Sequence, residues 1–428
     1  MQALQKTPRG LRLHIAIFGR RNVGKSTLLN VLTRQDVSIV SDVAGTTTDP
    51  VEKAMELLPI GPVLFIDTAG IDDIGALGEK RVSKTYKVFD RADIIILVTE
   101  ANAWTFYEKE IIFEAENRKI PILVVFNKMD LFSTKKEVKK KLKEEGVPYC
   151  EISCFFSENT EINGKVYGYS KEKWAVTALL KQKIIALLPK DFITPPPLAS
   201  DLVSGDGFAV LVIPIDKEAP KGRIILPQQQ VLRDLLDKNE KILVVNEKNL
   251  LEAICDLKER PEIIITDSQA FGEVFSHVPG DILTTSFSIL FARFKGDLID
   301  LVKGANTIDK LKPQDNVLIA EACTHHPIGD DIGREKIPGW IKKRLGFDID
   351  FDISSGRDYP QELEKYKLII HCGACTLNRR EMLTRIYKAK SQGVPITNYG
   401  VAIAHLHGRL ERALEPFPYA RACLEDIC

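Results

Sequence analysis

Short apolar runs alternate with amphipathic segments along most of the chain. This alternation is typical of α/β domains with mainly parallel sheets, in which helices connect successive strands. The amphipathic segments carry apolar residues at helical spacing, as Val231, Leu232 and Leu235 do. The strands predicted from the apolar runs are, in chain order, His14–Phe18, Val63–Asp67, Ile94–Val98, Ile122–Asn127, Tyr149–Ser153, Phe208–Ile215, Ile242–Val245, Ile263–Thr266, Val317–Ala320, Leu368–His371 and Val394–Asn398.

A proline-rich segment at residues 189–197 divides the chain, directly after a predicted helix at Lys181–Leu188. Consecutive prolines hold the backbone extended and cannot donate ladder hydrogen bonds, so we expect a linker there. A second boundary rests on Pro279–Gly280 alone. The length of 428 residues agrees with three domains at about 150 residues each. The expected α/β domains span residues 1–193, 194–280 and 281–428.

Composition narrows the classes of function. Lysine plus arginine and aspartate plus glutamate number 59 each, so the formal charge is zero, which disfavours a general nucleic-acid or membrane-surface binder. No apolar run approaches the roughly 18 residues of a membrane helix, and the first ten residues lack the apolar core of a signal peptide. We therefore expect a cytoplasmic protein with no nucleic-acid or membrane partner. Its eight cysteines are expected to be free, redox-active or metal-bound rather than paired in disulfides.

The segment Gly19–Ser26 has the phosphate-loop pattern G-x-x-x-x-G-K-[ST], between a predicted strand and the amphipathic run Ser26–Thr33. Glycines let backbone N–H groups close around phosphate oxygens, at a helix start whose dipole favours anions. Lys25 is expected to neutralise the β- and γ-phosphate oxygens, and Ser26 to hold magnesium. The nucleotide contacts expected from this loop are Gly19, Arg20, Arg21, Asn22, Val23, Gly24, Lys25, Ser26 and Thr27.

A second nucleotide motif, Asp67-Thr-Ala-Gly70, follows an apolar strand. An acidic residue at that strand end can reach magnesium through water, and Gly70 lets its N–H approach the γ-phosphate. This motif is the expected partner of the phosphate loop.

A third motif, Asn127-Lys128-Met-Asp130, follows the next apolar strand but one. The carboxylate of Asp130 can accept hydrogen bonds from N1–H and the 2-amino group of guanine, and adenine does not offer this pair of donors. Such a site can reject the wrong base strongly. Ser153 and Cys154, at the end of the following strand, are expected to support the guanine carbonyl. The nucleotide is therefore predicted to be GTP.

These motifs together resemble a translation-factor-like GTPase of the Era and tRNA-modifying type over roughly residues 10–190. The resemblance implies a P-loop GTPase domain, followed here by two further α/β domains. The segment at 45–49 is similar to the first switch of that group, and by this alignment Thr47 touches magnesium. The catalytic residues that the resemblance implies are Lys25, Thr47 and Gly70, with magnesium held by Ser26, Thr47 and Asp67.

Two positions bear on the rate of hydrolysis. Ile71 stands where Ras-type enzymes have a water-orienting glutamine, so we expect slow intrinsic hydrolysis. Asn22 is the position that holds potassium in cation-activated relatives, and a monovalent cation there would supply charge beside the phosphates. The alternative for Asn22 is a turn residue.

Cysteine and histidine residues follow two predicted strands in the last third of the chain. Cys323 and His325 follow one strand, and His371, Cys372 and Cys375 follow another. Ligands in open α/β sheets bind at the carboxyl ends of strands. Two cysteines in C-x-x-C and one remote cysteine can bind zinc with a histidine, or an iron–sulfur cluster, or remain free buried thiols, and the spacing alone does not choose. The cysteines without ligand spacing are Cys150, Cys154, Cys255, Cys423 and Cys428, of which Cys255 is expected in a helix core.

The pattern C-x-H, then H-C-x-x-C about 45 residues later, behind a GTPase domain, resembles the HydF family of FeFe-hydrogenase maturation GTPases over essentially the whole chain. The segments Leu377–Glu381 and Thr397–His405 are also similar to that family. The resemblance implies a GTPase domain, a dimerisation domain and a domain that binds a 4Fe–4S cluster with one exchangeable iron site. The implied cluster ligands are Cys323, Cys372 and Cys375, and the candidates for a fourth ligand are His325 and His371.

The same resemblance implies partners and cargo. A two-iron subcluster precursor with CO, cyanide and a dithiolate bridge would assemble at the cluster and pass to apo FeFe hydrogenase, with two radical-SAM maturases supplying the parts. The chain would be a homodimer, and its cofactors would be GTP, magnesium, potassium, the 4Fe–4S cluster and the two-iron precursor. Two alternatives stay open: a tRNA- or ribosome-associated GTPase with a structural zinc site, and a switch in which GTP binding alone matters.

Overall fold

The computed structural model describes residues 7–33, 50–68, 86–154, 160–162, 165–167, 171–205, 207–214, 224–322, 331–356 and 358–424. The chain forms two compact units, Met1–Pro195 and Pro196–Cys428. The boundary between them falls inside the proline-rich segment predicted as a linker. One helical turn, Lys190–Ile193, interrupts the extended chain expected there.

The first unit is built on a six-stranded sheet with the order β2-β3-β1-β4-β5-β6. Neighbouring strands are parallel, except for the antiparallel pair β2 and β3. Its strands are β1 Leu13–Phe18, β2 Val51–Leu57, β3 Gly61–Asp67, β4 Ile94–Glu100, β5 Ile122–Asn127 and β6 Tyr149–Glu151. The five parallel strands match the predicted ones. The sequence does not indicate β2, because this edge strand mixes charged and apolar residues without regular alternation and is only half buried.

Helices cover both faces of this sheet, so alternate residues of each central strand enter two separate apolar cores. Ile15 packs in the core beneath Leu28, and Ala16 packs in the core on the opposite face. The helices of this unit are α1 Lys25–Thr33, α2 Phe106–Asn117, α3 Lys136–Glu144, α4 Lys171–Ala186 and α5 Lys190–Ile193, with a short 3₁₀ turn at Arg9–Leu11. A separate antiparallel hairpin pairs β7 Thr160–Ile162 with β8 Lys165–Tyr167.

The second unit contains two four-stranded parallel sheets, with the orders β10-β9-β11-β12 and β14-β13-β15-β16. One continuous apolar core joins them. Their strands are β9 Phe208–Val212, β10 Lys241–Val245, β11 Ile263–Thr266, β12 Leu283–Ser286, β13 Asn316–Glu321, β14 Asp350–Ser355, β15 Leu368–His371 and β16 Ile396–Asn398. Strands β12 and β14 were missed, since both are edge strands rich in Thr, Ser or Asp. The sheet that contains β12 extends past the boundary expected at residue 280, which stays a prediction.

The helices of the second unit are α6 Leu226–Asp237, α7 Leu250–Asp256, α8 Phe271–His277, α9 Phe287–Lys295, α10 Leu298–Ala305, α11 Ile337–Leu345, α12 Arg379–Ser391, α13 Tyr399–Leu406, α14 Leu410–Ala413 and α15 Pro418–Ala422. Short 3₁₀ turns lie at Glu247–Asn249, Ser268–Ala270 and Ile308–Lys310, and a π turn at Ile332–Lys336 precedes α11. Among the helices of the described chain, none is both long and apolar enough to cross a membrane.

Helix α9 lies inside the second unit. Its N-terminus is capped by Ser286, whose hydroxyl accepts a hydrogen bond from the N–H of Ile289 at 3.2 Å. Most of the helix is buried, as expected for a helix that is apolar on nearly every face. It ends at Gly296, where a Cβ would meet the carbonyl oxygen of Ala292 at 3.0 Å. This geometry leaves Lys295, the last residue of the helix, in the interior.

Two of the three larger sheets place the predicted functional loops at a switch point, where the chain passes from one side of a central strand to the other. Strand β1 lies between β3 and β4, and strand β13 lies between β14 and β15. The phosphate loop follows β1, and the two cysteine segments follow β13 and β15. Open α/β sheets form their ligand crevices at such points, beyond the carboxyl ends of the strands.

Candidate functional site

The phosphate loop closes around the side chain of Lys25, the first residue of α1. The Lys25 ammonium donates hydrogen bonds to the carbonyl oxygens of Gly19 and Arg20, each at 2.8 Å. Gly19 is required because a Cβ there would lie 2.4 Å from the carbonyl oxygen of Val98. Asn22 has a positive φ of 63°, a conformation in which asparagine is common. The loop therefore holds a cation at a helix start, which suits an anionic phosphate.

Asp67, at the end of β3, carries a buried carboxylate oxygen, Oδ1, that has no hydrogen-bond partner among the described residues. Burial raises the pKa of Asp67 from 3.8 to about 6, although the Lys25 ammonium and a hydrogen bond with Ser26 oppose the shift. Oxygen atoms of carboxylates and hydroxyls are the ligands that magnesium prefers. The unpartnered oxygen of Asp67 beside Ser26 therefore fits a magnesium ion.

Thr68 fixes the end of β3 against β1. Its N–H and its hydroxyl both donate to the carbonyl oxygen of Ile17, at 3.1 and 2.8 Å. This double contact fixes the backbone directly after Asp67. Thr47, Gly70 and Ile71 lie outside the described residues, so their roles stay predictions.

Asn127 joins the phosphate loop to the loop that follows β6. Its amide nitrogen donates to the carbonyl oxygen of Val23 at 2.9 Å, and its amide oxygen accepts from the N–H of Cys154 at 3.0 Å. Gly24 packs against it with a φ of +97°, and a Cβ at Gly24 would lie 2.3 Å from the Asn127 amide nitrogen. One side chain thus sets the position of two nucleotide loops.

The residues predicted to read the base also lie together. The hydroxyl of Ser153 donates to a carboxylate oxygen of Asp130 at 2.5 Å. Lys128 pairs with Glu100, a partner at the end of β4 that the sequence did not indicate. Burial raises the pKa of the Cys154 thiol to about 12, so the thiol stays neutral. The backbone N–H of Cys154 is the group that donates a hydrogen bond to Asn127.

Four predicted nucleotide contacts either have another interaction or are exposed. The guanidinium of Arg20 pairs with the fully buried Glu108 at 3.3 Å, beside the ring of Tyr107. Arg21 is exposed. Ser26 and Thr27 are also exposed, at the open end of the loop.

The two cysteine segments meet at Cys372. Its N–H donates to the carbonyl oxygen of Ala320 at 2.8 Å, and the N–H of Ala322 lies 3.1 Å from its sulfur. Ala322 directly precedes Cys323, which, with His325, lies outside the described residues. Cys372 and Cys375 are both partly exposed in the loop between β15 and α12. Within the described ranges, which do not contain Cys323, no three metal-binding side chains form a group.

A buried lysine lies beneath this cysteine loop. Lys295 is 2% exposed, and its ammonium donates to the carbonyl oxygens of Ala374, Cys375 and Leu377 at 2.9, 3.1 and 2.8 Å. Burial lowers the pKa of Lys295 to about 8, while the thiols of Cys375 and Cys372 act to raise it. The sequence did not indicate this residue, because a lysine in the last turn of a helix is ordinarily a dipole-compensating surface residue.

His371 has a structural role that leaves neither ring nitrogen available to iron. The ring is fully buried, with Nδ1 2.8 Å from the carbonyl oxygen of Cys372 and Nε2 2.9 Å from the guanidinium of Arg385. Burial, and then the positive charge of Arg385, lower the pKa of His371 to about 3, so the ring is neutral. Nδ1 therefore donates and Nε2 accepts, and the candidate role of His371 as a fourth ligand is not carried further.

The other cysteines that the structure describes belong to other elements of the chain. Cys150 and Cys154 are buried in the first unit. Cys255 is exposed on α7, which corrects the expectation that it packs in a helix core. Cys423 follows α15, and Cys428 lies outside the described residues.

Family models match three parts of the chain. Residues 299–416 match the hydrogen maturase F tetramerization domain, and residues 198–296 match the hydrogen maturase F dimerization domain. Together these two cover just over half of the chain. Residues 14–128 match the family described as 50S ribosome-binding GTPase.

Among curated relatives, the tRNA modification GTPase MnmE of Caldicellulosiruptor saccharolyticus is 35% identical over 173 residues, which is 40% of this chain and 35% of that protein. MnmE of Prochlorococcus marinus is 43% identical over 156 residues, 35% of this chain and 33% of that protein. GTPase Der of Wolinella succinogenes is 34% identical over 178 residues, 40% of this chain and 37% of that protein. The chain spans about a third of the length of these relatives.

Among solved structures, Aquifex aeolicus Era bound to GDP and AlF4⁻ is similar with a TM-score of 0.31 and 22% identity. The match covers 54% of this chain and 93% of the Era chain.

Proposed function

The chain belongs to the hydrogen maturase F (HydF) family, and on that premise we propose that it is a GTP-hydrolysing scaffold for FeFe-hydrogenase maturation. It binds a 4Fe–4S cluster, assembles the two-iron subcluster precursor there and transfers it to the apo-hydrogenase. The observation that carries this proposal is the presence of two built sites in separate units of one chain. One is a phosphate loop, and the other is a cysteine loop over a buried cation.

GTP is the substrate of the first unit. When the nucleotide enters, the Lys25 ammonium exchanges the carbonyl oxygens of Gly19 and Arg20 for β- and γ-phosphate oxygens. Ser26, Asp67 and, by family alignment, Thr47 would hold a magnesium ion, which would neutralise charge on the phosphates. The unpartnered oxygen of Asp67 supports this assignment, because a bound cation would offset the free-energy cost of burying the charged carboxylate.

Guanine is read by Asp130. Its carboxylate is held by the hydroxyl of Ser153, which leaves acceptor capacity for N1–H and the 2-amino group of the base. Asn127 supports the same pocket indirectly by fixing Cys154 and Val23.

Hydrolysis is slow and activated by a monovalent cation. Ile71 has no hydrogen-bonding group with which to align the attacking water, so the missing stabilisation has to come from charge near the phosphates. Asn22, in the phosphate loop, offers a side-chain oxygen for potassium. The positive φ of Asn22 also agrees with the simpler role of a turn residue, and the comparison of potassium with sodium separates the two.

The cluster is held by the thiolates of Cys323, Cys372 and Cys375. The contact between the Ala322 N–H and the Cys372 sulfur supports this set, because it brings the chain directly before Cys323 against the second cysteine. Hydrogen bonds from N–H to sulfur favour the thiolate form and tune bound clusters. His325 stays the candidate for a fourth ligand, and three thiolates with a labile fourth position leave one iron able to bind the two-iron cargo.

The direct test is anaerobic reconstitution with iron and sulfide. We expect about four irons per chain and a reduced-cluster signal in electron paramagnetic resonance, as a 4Fe–4S cluster gives. Cys372→Ala should lose both, since no neighbouring group replaces the thiolate. Cys255→Ala is the matched control, because that exposed cysteine lies on α7 and is not part of the cysteine loop. Full iron content in Cys372→Ala would contradict the ligand assignment.

The second candidate function is a tRNA- or ribosome-associated GTPase with structural zinc. It is favoured by the match to the 50S ribosome-binding GTPase family and by the tRNA modification GTPases among the relatives. The zero net charge disfavours it, since binding to a polyanion rests largely on basic side chains. One tightly held zinc and no iron, in protein made anaerobically with iron available, would select this candidate.

The assembly is a homo-oligomer. The dimerization-domain match at 198–296 supports a homodimer through this block, and the tetramerization-domain match at 299–416 supports association of two dimers. Apo FeFe hydrogenase and two radical-SAM maturases are the proposed partners. Light scattering of the full chain over a concentration series tests the assembly, and a monomer at tens of micromolar would contradict it.

A further inference from the structure

Lys295 is a buried cation that no carboxylate pairs with among the described residues. The ring of Phe291 lies with its centre 5.7 Å from the ammonium, and the thiols of Cys375 and Cys372 lie close enough to act on its charge. Its three hydrogen bonds all go to backbone carbonyls of the loop between β15 and α12. Lysine is almost never fully buried without a paired charge, because desolvating an ammonium is costly. An apolar residue would fill the same position at the end of α9 without that cost.

The three carbonyl contacts also fix the direction of the loop's N–H groups. In a trans peptide the carbonyl and the following N–H point in opposite directions. Because the carbonyls of Ala374 and Cys375 face the ammonium, the N–H groups of Cys375 and Thr376 point away from it. Ala374 adopts a positive φ of 52°, a conformation that the loop must hold against its intrinsic preference.

We propose, on the basis of the function proposed above, that Lys295 is a positioning residue for the iron–sulfur cluster. Its ammonium holds the backbone between Cys372 and Leu377 so that both thiolates and the outward N–H groups face the cluster, and its charge stabilises the anionic cluster from beneath. A 4Fe–4S cluster on three thiolates is an anion and gains one more negative charge on reduction. A fixed cation in a low-dielectric interior therefore favours the reduced state.

The alternative is that Lys295 only stabilises the fold of the loop. The two roles differ in their effect on the reduction potential of the cluster. Loss of a purely structural lysine destabilises the fold and lowers cluster content, whereas loss of a charge that acts on the cluster also makes the reduction potential of the remaining cluster more negative. The potential is therefore the deciding measurement.

The experiment compares the reconstituted full-length wild type with Lys295→Met, which keeps most of the side-chain length without the charge, and with Lys295→Arg, which keeps the charge. Lys303→Met is the matched control, since Lys303 is exposed on the neighbouring helix α10. For each protein we would measure iron and sulfide per chain, the rate of iron loss to a chelator, and the midpoint potential by titration monitored with electron paramagnetic resonance. Circular dichroism and GTP turnover report the fold and the first unit.

We expect Lys295→Met to lose iron to the chelator at least about tenfold faster, because it lacks all three charge-assisted hydrogen bonds that hold the cysteine loop. Its midpoint potential should be more negative than that of the wild type, with GTP turnover unchanged. The midpoint potential of Lys295→Arg should lie closer to that of the wild type than the potential of Lys295→Met does. The potential of Lys303→Met should equal that of the wild type. If Lys295→Met does not fold, the potential of Lys295→Arg against the wild type decides, and a strongly negative shift there overturns the proposal.

An unchanged midpoint potential in a folded Lys295→Met protein, whatever its chelation rate, would overturn the inference and leave the proposed function intact. A wild type that takes up no iron would instead overturn the proposed function itself. The two failures are therefore distinguishable in one set of samples.

Discussion

Replacing Asp67 with asparagine should stabilise the nucleotide-free protein while removing the response to magnesium. The pKa of Asp67 is raised from 3.8 to about 6 by burial, and each unit corresponds to about 1.4 kcal/mol, so the ionised carboxylate destabilises the folded chain by about 3 kcal/mol near pH 8. Asparagine has a similar shape and no charge, and Ser26 can accept from its amide as readily as it donates to the carboxylate.

The stability difference between Asp67→Asn and the wild type should depend on pH. A carboxyl group whose folded pKa is raised binds more protons in the folded than in the unfolded state between the two pKa values, so wild-type stability falls as pH rises from 3.8 through about 6. The advantage of Asp67→Asn should therefore be about 3 kcal/mol near pH 8 and roughly half of that near pH 5.

Scanning calorimetry of metal-free, nucleotide-free full-length protein measures this effect. The relevant unfolding transition is the one whose midpoint temperature rises in the wild type when a GTP analogue and magnesium are added. We expect this midpoint to be about 6–12 °C higher in Asp67→Asn near pH 8, because 1 kcal/mol shifts the midpoint by about 2–4 °C in a unit of this size. With the analogue and magnesium the order should reverse, because only the carboxylate gains from the cation. An Asp67→Asn transition at or below the wild-type temperature near pH 8 would refute the argument that this carboxylate is buried at a cost.

Three further outcomes are expected. Asp130→Asn should shift binding from guanosine toward xanthosine nucleotides, and comparable ATP and GTP binding by the wild type would contradict the base assignment. Asn127→Ala removes the hydrogen bonds that fix the Val23 carbonyl and the Cys154 N–H, worth about 1–3 kcal/mol each, so GTP affinity measured by calorimetric titration should fall at least about tenfold. Initial rates of GTP hydrolysis should be higher in potassium than in sodium at equal ionic strength, and equal rates would leave Asn22 as a turn residue only.

The parts of the fold that the sequence predicted are those with strong local signals. Strands β5, β11 and β15 are continuous apolar runs and were predicted with their observed bounds. Edge strands such as β2 and β14 were not predicted, because they are half exposed and mix charged or polar residues with apolar ones. A strand that is buried on both faces of its sheet is a continuous apolar run and is easily recognised in the sequence. A strand that is buried on one face only has a weaker pattern and is more easily overlooked.

The parts of the sites that could not be predicted are contacts between distant segments. Asn127 bonds to Val23, 104 positions earlier in the chain. Lys295 bonds to carbonyls 79 to 82 positions later. Neither contact leaves a local pattern, since both depend on which loops the sheet order brings to one edge. His371 shows the reverse case: its place in a cysteine motif indicated a ligand, and only its contacts with Cys372 and Arg385 reveal another role.

The nucleotide site and the cysteine-loop site each contain a buried charged side chain, and the two charges have opposite signs. The nucleotide unit buries the Asp67 carboxylate with one oxygen unpartnered, and the other unit buries the Lys295 ammonium without a carboxylate among the described residues. Each buried charge is unfavourable in the ligand-free chain, as the raised pKa of Asp67 and the lowered pKa of Lys295 both indicate. The ligand proposed for each site carries the compensating charge: a magnesium ion at Asp67 and an anionic cluster above Lys295. Because the two charges lie in separate compact units, each ligand should stabilise its own unit, so loss of the cluster leaves nucleotide binding intact.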